Sequence, residues 1–167
     1  MPKSLPERVD PFKLASSGER LVGQILVERM RRLGANGVNA LGEVGIDLNF
    51  FEDDAGKPRI RGHVDVALEV QCQRCLHPMS LAVRAEVRLA LVHSAEEEVE
   101  AGYELIEIGD EPVSLIEMVE DELILALPTT PRHPYGECAV MEEYYAETSL
   151  ESPGSPFRVL SELKHRS

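Results

Sequence analysis

Strict alternation of apolar and polar residues on either side of residues 72–78 constrains this chain more than any other feature. Ile60, Gly62, Val64, Val66, Leu68 and Val70 share one face of an extended segment, and Arg61, His63, Asp65, Glu69 and Gln71 share the other. After the break, Leu81, Val83, Ala85, Val87, Leu89 and Leu91 alternate with Arg84, Glu86 and Arg88. A period of two is the side-chain repeat of a strand, whereas a helix would scatter the same residues round its circumference. Two such runs joined by Cys72-Gln73-Arg74-Cys75-Leu76-His77-Pro78 predict an antiparallel hairpin with a Cys-x-x-Cys at its tip.

A third alternating run, Val38, Ala40, Gly42, Val44, Ile46, Leu48 and Phe50, leads into a turn rich in Asp, Gly and Pro from Glu52 to Pro58. Residues 38–51, 59–71 and 80–93 therefore predict a meander with one packed face and one wet face. Tyr103 to Ile108 fits a short edge strand. Ser114 followed by Glu117 is a capping box, opening a helix with Leu115, Ile116, Val119, Leu123, Ala126 and Leu127 on its apolar side. Pro128 stops it. Near the N-terminus, Asp10 and Pro11 have the cap and first-position chemistry of a short helix. Leu21, Val22, Ile25, Leu26, Met30 and Leu33 recur at helical spacing, with Arg29, Arg31 and Arg32 before a stop at Gly34, and predict a further helix. Gly23 and the β-branched residues leave a strand start open there.

The fold class expected is α+β: an antiparallel β-meander of three or more strands, with a C-terminal-half helix packed on it and a short N-terminal helix. Residues 1–138 would form a single domain. Residues 139–155 would be an acidic mobile linker, and residues 156–167 a short amphipathic segment carrying Phe157, Leu160 and Leu163.

Charge is distributed unevenly. Of the net −13, residues 1–93 hold 13 Lys and Arg against 12 Asp and Glu, and residues 94–167 hold 4 against 18. An acidic half is a poor surface for phosphate backbones, whose affinity comes from Lys and Arg displacing counterions. It suits a basic protein partner, or serves solubility alone. Arg74 at the hairpin tip and Glu117, Glu120, Asp121 and Glu122 on the helix are the candidate partner-binding residues. Arg61, Arg84 and Arg88 on the wet face are the candidate RNA edge, with cross-strand pairing to Asp65, Glu69 and Glu86 as the plainer alternative. Aromatic residues make up only 5% of the chain, with no Trp, leaving few rings for base stacking. No apolar run reaches the ~20 residues of a membrane span, and the first residues lack the apolar core of a secretory signal, so a cytoplasmic protein is expected.

Three cysteines, two of them three positions apart, favour reduced thiols over a disulfide framework. A thioredoxin-like role needs the Cys-x-x-Cys at a helix N-terminus, and here a second strand follows. A turn-borne pair of thiolates suits a metal better. His133 and Cys138 lie on a proline-stiffened segment after the helix and would reach the tip if that helix packs on the sheet. Cys72, Cys75, His133 and Cys138 would then close a structural Zn²⁺ site with no open coordination position. His77 competes as a ligand, and small apolar thiols in a tight turn are the alternative without metal. No Gly-rich phosphate loop, Gly-x-Ser-x-Gly or His-Glu-x-x-His occurs. No catalytic residues, no small-molecule substrate and no membrane partner are expected, and Zn is the only cofactor considered.

Cys72-Gln73-Arg74-Cys75-Leu76 after an alternating strand, the run Met118 to Pro128, the His133…Cys138 segment and Pro156-Phe157-Arg158-Val159-Leu160 follow one another in order. Together they resemble the bacterial YceD family, the large ribosomal RNA subunit accumulation proteins, over residues 60–164. The resemblance implies a non-enzymatic role in synthesis, processing or accumulation of 23S rRNA and the large ribosomal subunit. Many members carry a second Cys-rich group after the helix. Here only Cys138 stands there with His133, so three thiolates and one imidazole are the most this chain could assemble. The partners expected are basic ribosomal proteins, the 23S rRNA precursor, or both. The rival readings are a zinc-stabilised RNA-binding module acting alone and a protein-binding α+β domain unconnected with ribosomes.

Overall fold

The computed structural model describes residues 5–35, 42–97, 100–109 and 111–138. The expected strand start at residues 38–41, the linker at 139–155 and the amphipathic segment at 156–167 lie outside the described residues. The fold is α+β. Strands β2 (Arg20–Leu26), β3 (Glu43–Glu52), β4 (Pro58–Gln71), β5 (Pro78–Val92) and β6 (Glu104–Glu107) form one sheet in the order β2-β3-β4-β5-β6. The first four are antiparallel neighbours, and β6 runs parallel to β5. A two-stranded ladder joins β1 (Arg8–Val9) to β7 (Val113–Ser114).

The alternation dictates which face packs. Val44, Ile46, Leu48 and Phe50 of β3, Ile60, Val64, Val66, Leu68 and Val70 of β4, and Val83, Ala85, Val87, Leu89 and Leu91 of β5 are all buried in one core. Helix α1 (Pro11–Ser17) lies against β3 and β4, and α3 (Leu115–Ala126) against β5 and β4. Asp10 caps α1 by accepting from the Lys13 amide at 3.1 Å, with Pro11 in the first turn. Ser114 caps α3 by accepting from the Glu117 amide at 3.3 Å, half of the expected capping box. On α3 the buried side comprises Leu115, Met118, Val119 and Leu123, and Ala126 is exposed. Gly62 is required where β4 meets β3. A Cβ there would stand 2.0 Å from the Asp47 carbonyl oxygen. No helix among the described residues is long and apolar enough to cross a membrane.

Two expectations are corrected. The helix expected from Leu21 to Leu33 is strand β2, then a single 3₁₀ turn (Val27–Arg29) and the five-residue helix α2 (Arg31–Ala35). Ile25 is buried and Leu21 and Gly23 half-buried, with Val22, Gln24 and Leu26 exposed between them, so a two-residue period had been hidden among apolar neighbours. Pairing with the edge of β3 overrides the helical spacing.

Glu120, expected on an exposed acidic face, is buried. Its carboxylate accepts from the backbone N–H groups of Arg32 at 2.7 Å and Leu33 at 2.9 Å and from Arg32 Nε at 3.1 Å. Those amides are first-turn donors of α2 with no partner inside that helix, so Glu120 caps α2 from another helix. The Arg32 guanidinium also reaches Asp121 at 2.6 Å and the Glu117 carbonyl at 3.1 Å. The cluster is a clasp between α2 and α3, which is why neither Arg32 nor Glu120 is a free surface charge. Replacing Glu120 with Ala removes the acceptor of the Arg32 and Leu33 amides while the Arg32 guanidinium keeps Asp121, and should lower stability by roughly 1–3 kcal/mol. Glu117→Ala, which removes only an exposed carboxylate, should stay within about 0.5 kcal/mol in the same denaturant titration.

Candidate functional site

The long β4–β5 ladder projects its connecting loop beyond the rest of the sheet's pairing, since β3 matches β4 only as far as Asp65. Within the loop the Cys72 amide donates to the His77 carbonyl and the Leu76 amide to the Cys72 carbonyl, both at 2.9 Å. Leu76 takes a left-handed conformation, φ 61°, to close this turn. After α3, the Pro-rich return segment crosses the loop, and the Gln73 amide donates to the Pro131 carbonyl at 2.8 Å.

That crossing gathers the four side chains expected to act together. The ligand atoms of Cys72, Cys75, His133 and Cys138 all lie within 4.8 Å of one another. Cys72 Sγ is 3.8 Å from Cys138 Sγ. His133 Nδ1 is 3.3 Å from Cys75 Sγ and 3.7 Å from Cys138 Sγ. Cys72 and Cys138 are buried and the other two are half-buried. His77, the competing ligand, is exposed and outside the group. The group could bind a metal ion.

The surroundings favour the thiolate at Cys72 and oppose it at Cys138. The His133 amide donates to Cys72 Sγ at 3.4 Å, and Arg74 Nε donates to Cys138 Sγ at 3.2 Å. Burial opposes ionisation of Cys72, yet the amides of Cys75, His133 and Arg74 together with the Cys75 thiol hold it down to about 5. Burial pushes the Cys138 thiol up, reinforced by the thiols of Cys75 and Cys72 and opposed by Arg74. Arg74 also donates through Nη2 to the His133 carbonyl at 2.7 Å. Expected as an outward contact at the tip, Arg74 is instead half-buried and clamps the return segment to the loop. Its inward turn follows from the carbonyl and sulfur acceptors that the return segment supplies, and no spacing in the sequence signals it.

The wet-face arginines divide in two. Arg84 donates to Glu86 at 3.0 Å and to Asp65, its cross-strand partner, at 3.2 Å. Arg61 and Arg88 sit directly opposite one another on β4 and β5. Arg61 donates to the Tyr103 hydroxyl at 2.5 Å and lies 5.7 Å from the ring centres of both Tyr103 and Phe51. On α3, Glu117 and Asp121 are exposed. Glu122 is half-buried, and burial, with the charges of Glu104 and Asp121, pushes its carboxyl up.

The family described as "Large ribosomal RNA subunit accumulation protein YceD" matches residues 60–164. A Haemophilus influenzae protein named "Large ribosomal RNA subunit accumulation protein YceD" is 32% identical over 171 residues, covering 97% of each chain. No solved structure matches the chain. The family match takes in the whole hairpin tip, α3 and the return segment, and the relative extends the likeness through the N-terminal strands. The chain belongs to the YceD family.

Proposed function

We propose that this protein acts, without catalysing a reaction, in the accumulation of 23S rRNA and so in assembly of the large ribosomal subunit. The observation that carries this reading is the correspondence, over 97% of both chains, with a relative named for large ribosomal RNA subunit accumulation. A cytoplasmic location goes with the role.

The Cys₃His group holds Zn²⁺ in this reading. A tetrahedral ion with bonds of about 2.3 Å to sulfur and 2.0 Å to nitrogen has S···S edges of roughly 3.8 Å and S···N edges of roughly 3.5 Å. The observed 3.8, 3.3 and 3.7 Å are close to three of the six edges, and the remaining pairs lie within 4.8 Å. All four positions are protein ligands, so the ion would fasten the hairpin tip to the return segment and leave no site for substrate. Protein purified without chelator should carry about one equivalent of zinc. Its removal should lower Tm by roughly 10 °C at zinc near a thousand times Kd. Cys138, raised by burial, keeps its proton in the neutral metal-free protein, so binding expels protons and affinity must fall as pH falls. Less than a tenth of an equivalent, with Tm unchanged by Cys138→Ser, would leave these residues as packed thiols.

The acidic surface of α3 is the contact for a basic ribosomal protein. With Glu120 and Asp121 both engaged by Arg32, the residues available are Glu117 and Glu122, adjoined by Glu104. Mutual repulsion at Glu122 would be relieved by a cationic partner. Changing Glu117 and Glu122 to Lys should abolish co-purification of large-subunit proteins while Tm holds. Deletion of the whole protein should reduce 23S rRNA relative to 16S. Undiminished 23S rRNA would overturn the assembly role.

A further inference from the structure

We infer that the open face of the sheet around Arg61, Arg88, Phe51 and Tyr103 is a binding platform for single-stranded RNA. This deepens the rRNA reading above by naming the surface through which this chain would touch RNA directly.

Most arginines on this face are matched by a carboxylate at hydrogen-bond distance. Arg20 donates to Asp47 at 2.7 and 2.5 Å, and Arg84 to Asp65 and Glu86. Buried Arg59 meets Asp53 at 2.9 Å. The exceptions are neighbours. Arg61 and Arg88 are both exposed, directly opposite across β4 and β5, and among the described residues neither forms an ion pair. Like charges at opposed positions of a ladder destabilise it. In a chain of net charge −13 that pairs its other sheet arginines locally, two guanidinium groups side by side with no carboxylate at ion-pair distance among the described residues mark a surface complementary to an anion.

The rings beside them specify which anion. Arg61 stands over both Phe51 and Tyr103 and is tethered to the Tyr103 hydroxyl, while Arg59 lies 5.0 Å from the same Tyr103 ring. Stacking and the tether pre-organise the guanidinium, so little of its rotamer freedom remains to be lost on binding. Phe51 and Tyr103 are half-buried, and with Asn49 beside Arg61 on β3 they bring ring faces, an amide and two cations onto adjacent strands. Guanidinium and aromatic planes that stack unpaired bases, next to cations for phosphate, are the chemistry of single-strand recognition. A duplex hides its base faces, and three neighbouring strands span only roughly 10 Å.

The test is fluorescence anisotropy of the full chain with a labelled mixed-sequence 12-nucleotide RNA, single-stranded and annealed to its complement. The single strand should bind more tightly than the duplex. Arg61→Glu with Arg88→Glu should weaken binding at least tenfold, and Arg61→Gln with Arg88→Gln should lower the salt slope by roughly one and a half. Tyr103→Ala should cost roughly fivefold or more. Arg84→Ala, at a neutralised position, should change binding less than twofold. Each variant is first checked for an unshifted melting curve, with the Gln pair standing in if the Glu pair fails to fold. Wild-type affinity in the Gln pair, no binding by the wild type, or capture of a ribosomal protein by this face in place of RNA would overturn the platform. If the platform fails while deletion of the protein still depletes 23S rRNA, the assembly role stands without it. If deletion leaves 23S rRNA intact, the assembly role itself is lost.

Discussion

The antiparallel ladder between β4 and β5, paired from Arg59 with Ala90 to Gln71 with Pro78, is the element on which the rest of the molecule depends. One face of it supplies much of the core and receives both α1 and α3. Its length carries the connecting loop past the end of β3 to the place where the chain returns after α3. Each buried Val or Leu along it contributes roughly 1.5–3 kcal/mol. A slip of one residue would turn the whole inward set to solvent, so the register is held by the core itself. The Cys-x-x-Cys therefore sits on a rigid support although it lies in a loop.

Two polar devices complete the framework, and both join segments far apart in sequence. Glu120 of α3 satisfies the first amides of α2, and Arg74 of the loop reaches the carbonyl of His133 and the sulfur of Cys138. Each places a charged group where unpaired backbone donors or acceptors would otherwise be left without water. The second has a chemical consequence as well. The Arg74 guanidinium that fastens the return segment also opposes the rise that burial imposes on the Cys138 thiol, and the His133 amide helps to hold Cys72 down.

Acidity is distributed with similar economy of contact. On the sheet, Asp47, Asp53, Asp65 and Glu86 each neutralise an arginine, and on α3 Glu120 and Asp121 hold Arg32. Of the charges left without such a partner, Glu122 lies on the α3 side, and Arg61 and Arg88 lie on the opposite sheet face. Surfaces of opposite sign on separate faces suit the basic protein and the RNA strand proposed above.

The sequence by itself determined the strands β3, β4 and β5, the caps at Asp10 and Ser114 and the hairpin, and it named Cys72, Cys75, His133 and Cys138 as candidates that the packing of α3 then brought together. Alternation, capping and ligand spacing are local properties, readable from neighbours in the chain. It misled between Leu21 and Leu33, where the apolar residues satisfied two periods and only the free edge of β3 chose between them. The roles of Glu120 and Arg74 were equally invisible. A carboxylate bound for solvent and one bound for the amides of Arg32 and Leu33 look the same in sequence, as does an arginine at a tip whichever way it turns. Nor did spacing relate Tyr103 to Arg61, 42 positions away. The tertiary structure decided these because the energy of a buried charge depends on which distant groups surround it, and only the folded chain sets those neighbours.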